Sequence, residues 1–401
     1  MSPRVRILSV THVLPDRDLA AAYSPPPLSD NGLVELSFMD APFVDRAIPM
    51  RRLFFYEGAA VPPLPSLAGS LRSSLAAALA VFPPLSGKLA HRPSAAGDDD
   101  AVVVDCSRAA VSPGVRFVEA EYDGGIADMR LPASARLEGD SSEALMQLGP
   151  EPDASQLPAP VLAVQVTRLA ASGGGRQVVF GVAVHHAVAD GYSVWQFMRA
   201  WAALSRMDSP PSRAVADLSP PAFDRTPLRY PEADELARKI LRTVAPALPM
   251  VITLMDFRRR LGPPIDDRYF GDCVVPCVAR AAVHDLRGDG GGGGLASAAA
   301  AIRDAIRAQP ACPVRAVEAW LDALRAAPRE RFTFAGSSNR FMAYETDFGW
   351  GKPSRVELVS LFAAELFLLL GVKDDGGVQV NATLRPEHME AFASNLARFS
   401  G

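Results

Sequence analysis

Apolar residues recur at helical spacing in the clearest segment of the first hundred residues. Leucines and one phenylalanine return about every four positions, and the pair Pro83-Pro84 follows them directly. This period predicts a helix that buries one face and ends where proline removes a backbone donor. The apolar positions are Leu67, Leu71, Leu75, Leu79 and Phe82.

The period of the apolar pattern changes in the middle of the chain. Apolar runs over 161–169 and 178–184 are separated by the glycines at 173–175, which predicts two strands joined as a hairpin. After them, apolar residues over 194–204 fall at helical spacing. The sequence therefore predicts that a strand ends and a helix begins within the segment 185–193.

The rest of the pattern mixes short strands with helices, which is typical of the α/β class. The segment 207–231 is rich in Pro, Ser and Asp and poor in apolar residues, so we expect it to link two domains, 1–206 and 232–401. Further strands are predicted over 5–10, 101–104, 356–360 and 378–384, and further helices over 232–244, 296–307 and from Pro386 onward.

Composition and charge narrow the possible partners of this chain. The 401 residues carry a net charge of −4 without a basic arm, so we expect no nucleic-acid partner. No apolar run reaches about 18 residues and the N-terminus lacks the apolar core of a signal peptide, so we expect no membrane partner. Four irregularly spaced cysteines argue against a disulfide framework or a metal site and fit the cytoplasm.

The strongest candidate for chemistry is the segment 184–191, Val-His-His-Ala-Val-Ala-Asp-Gly. A histidine between a strand and a helix lies at a sheet edge, where many α/β proteins have their sites. Neutral imidazole could take the proton of an acceptor hydroxyl, and the alkoxide would attack a thioester carbonyl. Because strand neighbours face opposite sides, only one histidine can enter a given pocket, and we favour His186 over His185. Asp190 could pair with a cation or orient the ring, and Gly191 allows a tight turn.

Each of these residues also has a purely structural interpretation. A histidine at this place is often a core residue with satisfied hydrogen bonds, and Asp190 could serve only as a helix N-cap. The His-x-x-x-Asp string by itself occurs often by chance. A metal site shared by His185 and His186 is disfavoured because their side chains diverge.

Two further segments have unusual composition. Residues 347–353, Asp-Phe-Gly-Trp-Gly-Lys-Pro, interleave glycines with aromatics and end in proline, which predicts a rigid turn with a mainly architectural role. The triple arginine 258–260 precedes Leu-Gly-Pro-Pro and is followed by Tyr-Phe-Gly-Asp-Cys at 269–273. The arginines could form a solvated patch, supply a buried ion-pair partner or contact phosphates.

Together these segments resemble the motifs of the plant BAHD acyltransferases, in both order and spacing. His-Ala-Val-Ala-Asp-Gly at 186–191 resembles the catalytic motif of that family, and Asp-Phe-Gly-Trp-Gly at 347–351 resembles its second signature. Tyr-Phe-Gly-Asp-Cys is similar to the Tyr-Phe-Gly-Asn-Cys of the clade that acylates anthocyanins and other phenolic glucosides, often with malonyl-CoA. The segments 52–56 and 84–89 also resemble that clade, so the resemblance spans nearly the whole chain.

The resemblance implies an α/β fold of two chloramphenicol acetyltransferase-like domains, with mixed β-sheets flanked by helices and a channel between the domains. It implies a monomer that holds no bound cofactor and uses acyl-CoA, with malonyl-CoA expected, as co-substrate for a phenolic glucoside. His186 would be the general base, Asp190 would pair with an arginine matched by Arg260, and Trp350 would reach the oxyanion. The expected supporting residues are Gly191, Asp347, Gly349 and Gly351.

Two departures from the family pattern keep other interpretations open. Asp272 replaces the asparagine of the third motif, and a core segment near 244–256 is expected to be missing from the second domain. An internally truncated, inactive protein is therefore an alternative to an active enzyme. A carnitine or lipoyl transferase is a weaker alternative because those enzymes lack Asp-Phe-Gly-Trp-Gly. Malonyl, acetyl and hydroxycinnamoyl donors all remain possible.

Overall fold

The computed structural model shows a protein built from mixed sheets with helices packed against them. It describes residues 5–22, 32–44, 49–92, 101–125, 145–152, 156–170, 176–206, 220–230, 232, 236, 251–282, 285–286, 293–310, 312–326, 333–338, 340–359, 365–372 and 376–399.

Most described residues of the chain belong to strands and helices. The strands are β1 (Val5–Val13), β2 (Leu33–Glu35), β3 (Pro49–Gly58), β4 (Lys88–Arg92), β5 (Ala101–Asp105), β6 (Val115–Tyr122), β7 (Ala159–Pro160), β8 (Leu162–Leu169), β9 (Arg176–His185), β10 (Val251–Asp256), β11 (Val274–Ala279), β12 (Thr333–Ser338), β13 (Arg355–Leu358), β14 (Leu366–Gly371) and β15 (Val378–Thr383). The helices are α1 (Arg17–Ala22), α2 (Leu64–Val81), α3 (Arg108–Val111), α4 (Gly191–Ser205), α5 (Gly293–Ala308), α6 (Pro313–Ala326) and α7 (Pro386–Phe399).

The first sheet has the strand order β1-β6-β8-β9-β3-β13. Strands β8 and β9 are antiparallel neighbours, which confirms the predicted hairpin pair. β6 and β8 are parallel, so the sheet is mixed. Residues on both faces of β3 and β9 are buried, as expected for central strands covered on two sides.

Helices α2 and α4 cover the main apolar face of this sheet. Helix α2 ends at Val81, just before Pro83, as the apolar period predicts. By length and composition alone α2 could cross a membrane, but most of its residues are buried inside the protein, as in a core helix. The indole of Trp201 in α4 donates a hydrogen bond to Ser74 Oγ in α2 at 3.0 Å, which satisfies a polar group between the two helices.

The second sheet has the order β11-β10-β12-β14-β15, and a smaller sheet has the order β2-β5-β4-β7. In the second sheet β10, β12 and β14 run parallel, while β11 and β15 are antiparallel at the edges. The two larger mixed sheets with their flanking helices confirm the expected α/β class.

The described residues refine the predicted division of the chain. Strand β13 pairs with β3, so a segment of the C-terminal half completes the first sheet. Of the expected linker 207–231, residues 207–219 and 231 fall outside the described residues, and residues 220–230 pack into the protein, with Phe223 and Leu228 buried. Most of the predicted helix 232–244 and part of the region of the expected deletion fall outside the described residues as well. Residues 251–256 form strand β10.

Candidate active site

The end of strand β9 places the His-x-x-x-Asp motif at the edge of the first sheet. His185 is the last residue of the strand, and residues 186–188 form a turn. Asp190 caps helix α4, because its Oδ1 accepts a hydrogen bond from the backbone N–H of Ser193 at 2.9 Å. This is the strand-turn-helix arrangement that the sequence predicts, with the cap at Asp190.

The two histidines of the motif have different surroundings. His185 is buried, and its Nδ1 accepts a hydrogen bond from the backbone N–H of Ala187 at 3.2 Å. Of the two histidines, His185 is therefore the one that is packed and hydrogen-bonded inside the protein. The His186 ring lies instead against Phe43, with ring centroids 3.9 Å apart and planes inclined by 9°.

Asp190 forms a buried ion pair with Arg258. Arg258 Nη1 lies 2.6 Å from Asp190 Oδ2, and Nη2 lies 3.0 Å from Oδ1. Burial alone would raise the pKa of Asp190, but the charge and hydrogen bonds of Arg258 outweigh it and lower that pKa. Conversely, burial would lower the pKa of Arg258, and Asp190 raises it above its ordinary value. Both side chains are therefore charged, and the pair locks the motif to the turn after β10.

This partner corrects the expectation for Arg260. The backbone after β10 turns at residues 258–260, and this turn buries Arg258 while leaving Arg259 and Arg260 exposed. The guanidinium of Arg258 also stacks on the ring of Tyr192, 4.6 Å from its centroid. Of the three arginines, the first is thus the buried ion-pair partner and the third faces solvent.

The segment Tyr269–Cys273 is the second attachment of the motif. The Oγ of Ser193 donates to the Gly271 carbonyl at 3.0 Å and accepts from the Gly271 N–H at 3.0 Å. The backbone N–H of Cys273 donates to Asp190 Oδ2 at 3.1 Å. Hydrogen bonds on both sides of Asp272 therefore fix this segment against the start of helix α4.

Asp272 lies next to the imidazole of His186. Its Oδ1 is 3.3 Å from His186 Nδ1, and Asp272 is fully buried. Burial and the neighbouring carboxylate of Asp40 raise the pKa of Asp272 well above its ordinary value. The backbone N–H of Asp272 donates to Asp40 Oδ1 at 3.0 Å.

Burial also determines the protonation state of His186. The side chain is 11% exposed, and loss of water lowers its pKa from 6.5 to about 4. A hydrogen bond with its own backbone and the charge of Asp190 oppose this shift without cancelling it. The imidazole is therefore neutral at pH 7 and can accept a proton.

Comparison with known proteins defines the family. The sequence profile of the Transferase family matches residues 24–239 and 237–398, which is nearly the whole chain. The chain belongs to this family, the BAHD acyltransferases. It is therefore an acyl-CoA acyltransferase, as its motifs predict.

Individual BAHD relatives are similar at low identity over most of their length. The chain is 26% identical over 406 residues to hydroxycinnamoyltransferase 2 of Oryza sativa subsp. japonica, covering 82% of this chain and 86% of that protein. It is 22% identical over 449 residues to phenolic glucoside malonyltransferase 2 of Arabidopsis thaliana, covering 90% and 92%. The fold is similar to the crystal structure of vinorine synthase, with a TM-score of 0.69, 19% identity and 96% of each chain covered.

The second BAHD signature, Asp347–Gly351, lies far from His186. Asp347 Oδ1 accepts hydrogen bonds from the N–H groups of Gly349 and Gly351 at 2.8 and 3.0 Å. Both glycines have φ near +100°, a conformation that other residues adopt only with strain. The Phe348 carbonyl accepts from Ser205 Oγ at the last residue of α4, whereas His186 precedes the first. Asp347, Gly349 and Gly351 thus form the rigid turn that the sequence predicts.

The position of Trp350 corrects the catalytic role expected for it. Its ring stacks on Phe348 at 5.6 Å and meets the edge of Tyr56 at 5.9 Å. Tyr56 and the end of β3 beside His185 are seven residues apart, which is about 23 Å along a strand. The indole therefore packs at the opposite end of the sheet from His186, too far to contact a carbonyl that reacts there.

The role of Gly191 also differs from the expected one. Its φ is not in the left-handed region, so the turn itself does not require glycine. A Cβ at this position would approach the ring of Phe341 to 3.0 Å. The absence of a side chain therefore gives Phe341 room to pack at the start of helix α4.

Arg52 is a buried cation near His186 that sequence reasoning did not assign to the site. It is 5% exposed, and its positive charge acts on His186 to lower the pKa of the imidazole. Its Nη1 donates to the Arg51 carbonyl at 3.1 Å, and its Nε has no hydrogen-bond partner among the described residues. Burial lowers the pKa of Arg52 to about 10, still well above neutral pH.

Four contributors to the site were missed because they come from distant parts of the chain. Asp40 and Phe43 follow β2, Arg52 lies in β3, and Asp272 lies in the third motif. Two of them, Arg52 and Asp272, lie in the segments 52–56 and 269–273, which resemble motifs of one BAHD clade. Their side-chain roles depend on tertiary contacts that no local pattern encodes.

Proposed function

We propose that this chain moves an acyl group, preferably malonyl, from CoA to a hydroxyl of a phenolic or flavonoid glucoside. The observation that carries the proposal is the neutral imidazole of His186 at the strand end, anchored through Asp190 to Arg258. This anchoring supports the assignment of His186 as general base.

The proposed reaction has one proton cycle on His186. The imidazole takes the proton of the acceptor hydroxyl as its oxygen attacks the thioester carbonyl carbon. A C–O bond forms, and the tetrahedral intermediate then collapses by breaking the C–S bond. The imidazolium returns the proton to the departing thiolate, so that CoA leaves as a thiol and His186 is neutral again.

A preference for malonyl is supported by Arg52 and by one of the relatives. The relative from Arabidopsis thaliana is a phenolic glucoside malonyltransferase. A malonyl group carries a free carboxylate, which needs a cation in a buried site. Arg52 is buried, charged and electrostatically coupled to His186, and no described carboxylate forms an ion pair with it. The donor carboxylate would supply the ion-pair partner that Arg52 lacks among the described residues.

A thiol-release assay tests the proposal. Purified protein is mixed with malonyl-CoA, acetyl-CoA or a hydroxycinnamoyl-CoA, and with phenolic glucosides or the corresponding aglycones. We expect acceptor-dependent release of CoA, fastest with malonyl-CoA and a glucoside, and its loss in His186→Ala with an unchanged melting temperature. Equal turnover in His186→Ala would contradict the assigned base. A preference for a hydroxycinnamoyl donor would contradict the malonyl proposal only.

One feature of the second half favours a second candidate, an internally truncated protein without activity. Helix α5 has no buried residue, and Leu295 and Ile302 are 70% and 38% exposed. An amphipathic helix normally buries its apolar stripe against a neighbouring element. A cooperative thermal melt together with CoA release would exclude this candidate. A broad, non-cooperative melt without CoA release would support it.

A further inference from the structure

The carboxyl group of Asp272 has an unusual environment for an aspartate. Asp272 is 0% exposed, and neither carboxyl oxygen forms a hydrogen bond of good geometry with any described residue. An ionised carboxylate without hydrogen bonds is very unfavourable inside a protein. The environment of this side chain therefore favours a neutral acid.

The backbone leaves Asp272 little freedom to point elsewhere. Gly271 is held through both its N–H and its carbonyl by Ser193, and the N–H of Cys273 is held by Asp190. The N–H of Asp272 itself donates to Asp40. With three consecutive residues anchored, the carboxyl group is fixed 3.3 Å from His186 Nδ1.

The two arginines that flank the segment 269–273, Arg225 and Arg258, are already engaged by other carboxylates. Arg258 forms its two-pronged pair with Asp190, and Arg225 Nε lies 3.4 Å from Asp40 Oδ2. Arg225 Nη1 donates to the Phe270 carbonyl at 2.6 Å. The cluster thus contains three acids, Asp40, Asp190 and Asp272, for two paired arginines. Asp40 also accepts hydrogen bonds from the N–H and Oγ of Ser37, whereas neither oxygen of Asp272 accepts one of good geometry, so Asp272 is the acid of the three that is left without a partner cation.

The ring of His186 is held in the matching orientation. Stacking on Phe43 fixes the plane of the imidazole, and Nδ1 is the ring atom that faces Asp272. In a neutral imidazole one nitrogen carries the proton and the other a lone pair, and the partner of the first nitrogen decides which is which. A carboxyl carbonyl oxygen beside Nδ1 favours the tautomer that is protonated at Nδ1.

We propose that Asp272 is a positioning residue: its neutral carboxyl group, 3.3 Å from Nδ1 of His186, favours the ring proton on that nitrogen and leaves the lone pair of Nε2 for the acceptor hydroxyl. The proposal rests on the proposed role of His186 as general base. A neutral carboxylic acid has nearly the shape of the amide of asparagine, the residue of the motif that this segment resembles. It therefore orients the ring without forming an ion pair that would hold the proton on the base.

Two substitutions at position 272 test this role. Asp272→Leu keeps the branched shape of the side chain and removes the acceptor, and Asp272→Asn restores a neutral acceptor oxygen. We expect kcat to fall about 100-fold in Asp272→Leu, a typical contribution of an oriented general base, and to recover to within about fivefold of wild type in Asp272→Asn. The KM values for both substrates should change by less than about threefold, because a residue behind the ring does not bind substrate.

The tautomer of His186 gives a readout that a merely structural role would not change. In ¹⁵N-histidine-labelled protein, with His186→Gln to assign the signal, wild type and Asp272→Asn should show the proton on Nδ1. Asp272→Leu should show a mixture or a shift toward Nε2–H. An unchanged tautomer and an unchanged kcat in Asp272→Leu would overturn the proposal. The imidazole would then be oriented by its contact with the backbone of His186 itself. If Asp272→Leu does not fold, Asp272→Ala removes the acceptor without adding bulk and gives the same comparison.

The failure of this inference is distinguishable from failure of the proposed function. If His186→Ala remains active, His186 is not the general base, and the proposed function is contradicted together with that role. Loss of activity in His186→Ala together with full activity in Asp272→Leu preserves the function and removes only the positioning role. A low kcat in Asp272→Asn equal to that of Asp272→Leu would show that a charged carboxylate is required, which also overturns the neutral acceptor.

Discussion

Asp190 and Arg258 lie 68 residues apart in the chain, yet their side chains meet in a buried two-pronged ion pair. The pair connects the turn that carries His186 to the turn after β10. It therefore couples the position of the proposed base to the packing of the second sheet against the first.

Removing Arg258 should destabilise the protein strongly. Arg258→Met leaves the buried, charged Asp190 without a cationic partner, and we expect a loss of about 3–5 kcal/mol in the free energy of unfolding. Arg260→Met is the matched control, because Arg260 is exposed, and should change that free energy by less than about 0.5 kcal/mol. Denaturant unfolding of both variants checks the prediction. An equal loss of unfolding free energy in the two variants would contradict the assignment of Arg258 as the ion-pair partner.

The pH dependence of turnover should reflect the lowered pKa of His186. Because burial brings this pKa from 6.5 to about 4, the base is deprotonated throughout the range from pH 5.5 to 8. We expect kcat/KM to be flat over this range and to fall only as the pH approaches 4. The profile is measured with an acceptor that does not titrate there. A tenfold fall between pH 7.5 and 5.5 would indicate an ordinary histidine pKa instead.

The raised pKa of Asp272 predicts a pH-dependent stability difference from Asp272→Asn. A folded-state pKa above the ordinary 3.8 gives a stabilisation that is complete below pH 3.8 and is lost as the pH rises toward the folded pKa. Asparagine does not titrate, so the variant should gain stability relative to wild type with rising pH. The expected slope is at most about 1.4 kcal/mol per pH unit.

Unfolding free energies of both proteins at pH 5, 6 and 7 measure this slope. Titrating groups that do not interact with Asp272 are common to the two proteins, so their contributions cancel in the difference. A difference that stays constant from pH 5 to 7 would mean that Asp272 is ionised throughout.

Trp350 should contribute to stability and not to turnover. Its indole is buried between Phe348 and Tyr56, so Trp350→Ala should cost about 3–5 kcal/mol in the free energy of unfolding. The kcat of the folded fraction should stay within about threefold of wild type, measured below the melting temperature of the variant. A fall of kcat by 100-fold or more in fully folded protein would restore the oxyanion role.

Arg52 should discriminate between donors. Arg52→Met removes the buried cation, and we expect KM for malonyl-CoA to rise at least about tenfold while KM for acetyl-CoA changes little. Arg51→Met is the control, since neighbouring side chains on a strand face opposite sides and Arg51 pairs with Glu151 at 3.0 Å. Equal rises for both donors would show that Arg52 does not recognise the malonyl carboxylate.

Local patterns predicted the elements that depend on local physics. Helix α4 was predictable because its apolar residues follow the helical period and Asp190 supplies the cap. His186 followed from the same reasoning, because a strand and a helix meet at it. Strand β14 was not predicted, since its apolar run has no alternation that separates it from a helix.

Features of the site that depend on tertiary contacts were not predictable in the same way. Nothing in the string Arg-Arg-Arg indicates which arginine is buried, and a resemblance of flanking residues selected Arg260 where the turn buries Arg258. The side chain of Asp272 acquires its role only beside His186, 86 positions earlier in the chain. Trp350 was misplaced for a similar reason, since an aromatic motif does not specify at which end of a sheet it packs.

The pairing of β13 with β3 has a consequence for dissecting the molecule. A fragment that ends at residue 206 would lack β13, which pairs with four residues of β3, Arg52 to Phe55, and the backbone edge of these residues would become available to other chains. Unprotected edges of this kind recruit further strands, so the isolated N-terminal half should self-associate and precipitate. Coexpression with a separate polypeptide that contains residues 340–359 should keep it in solution.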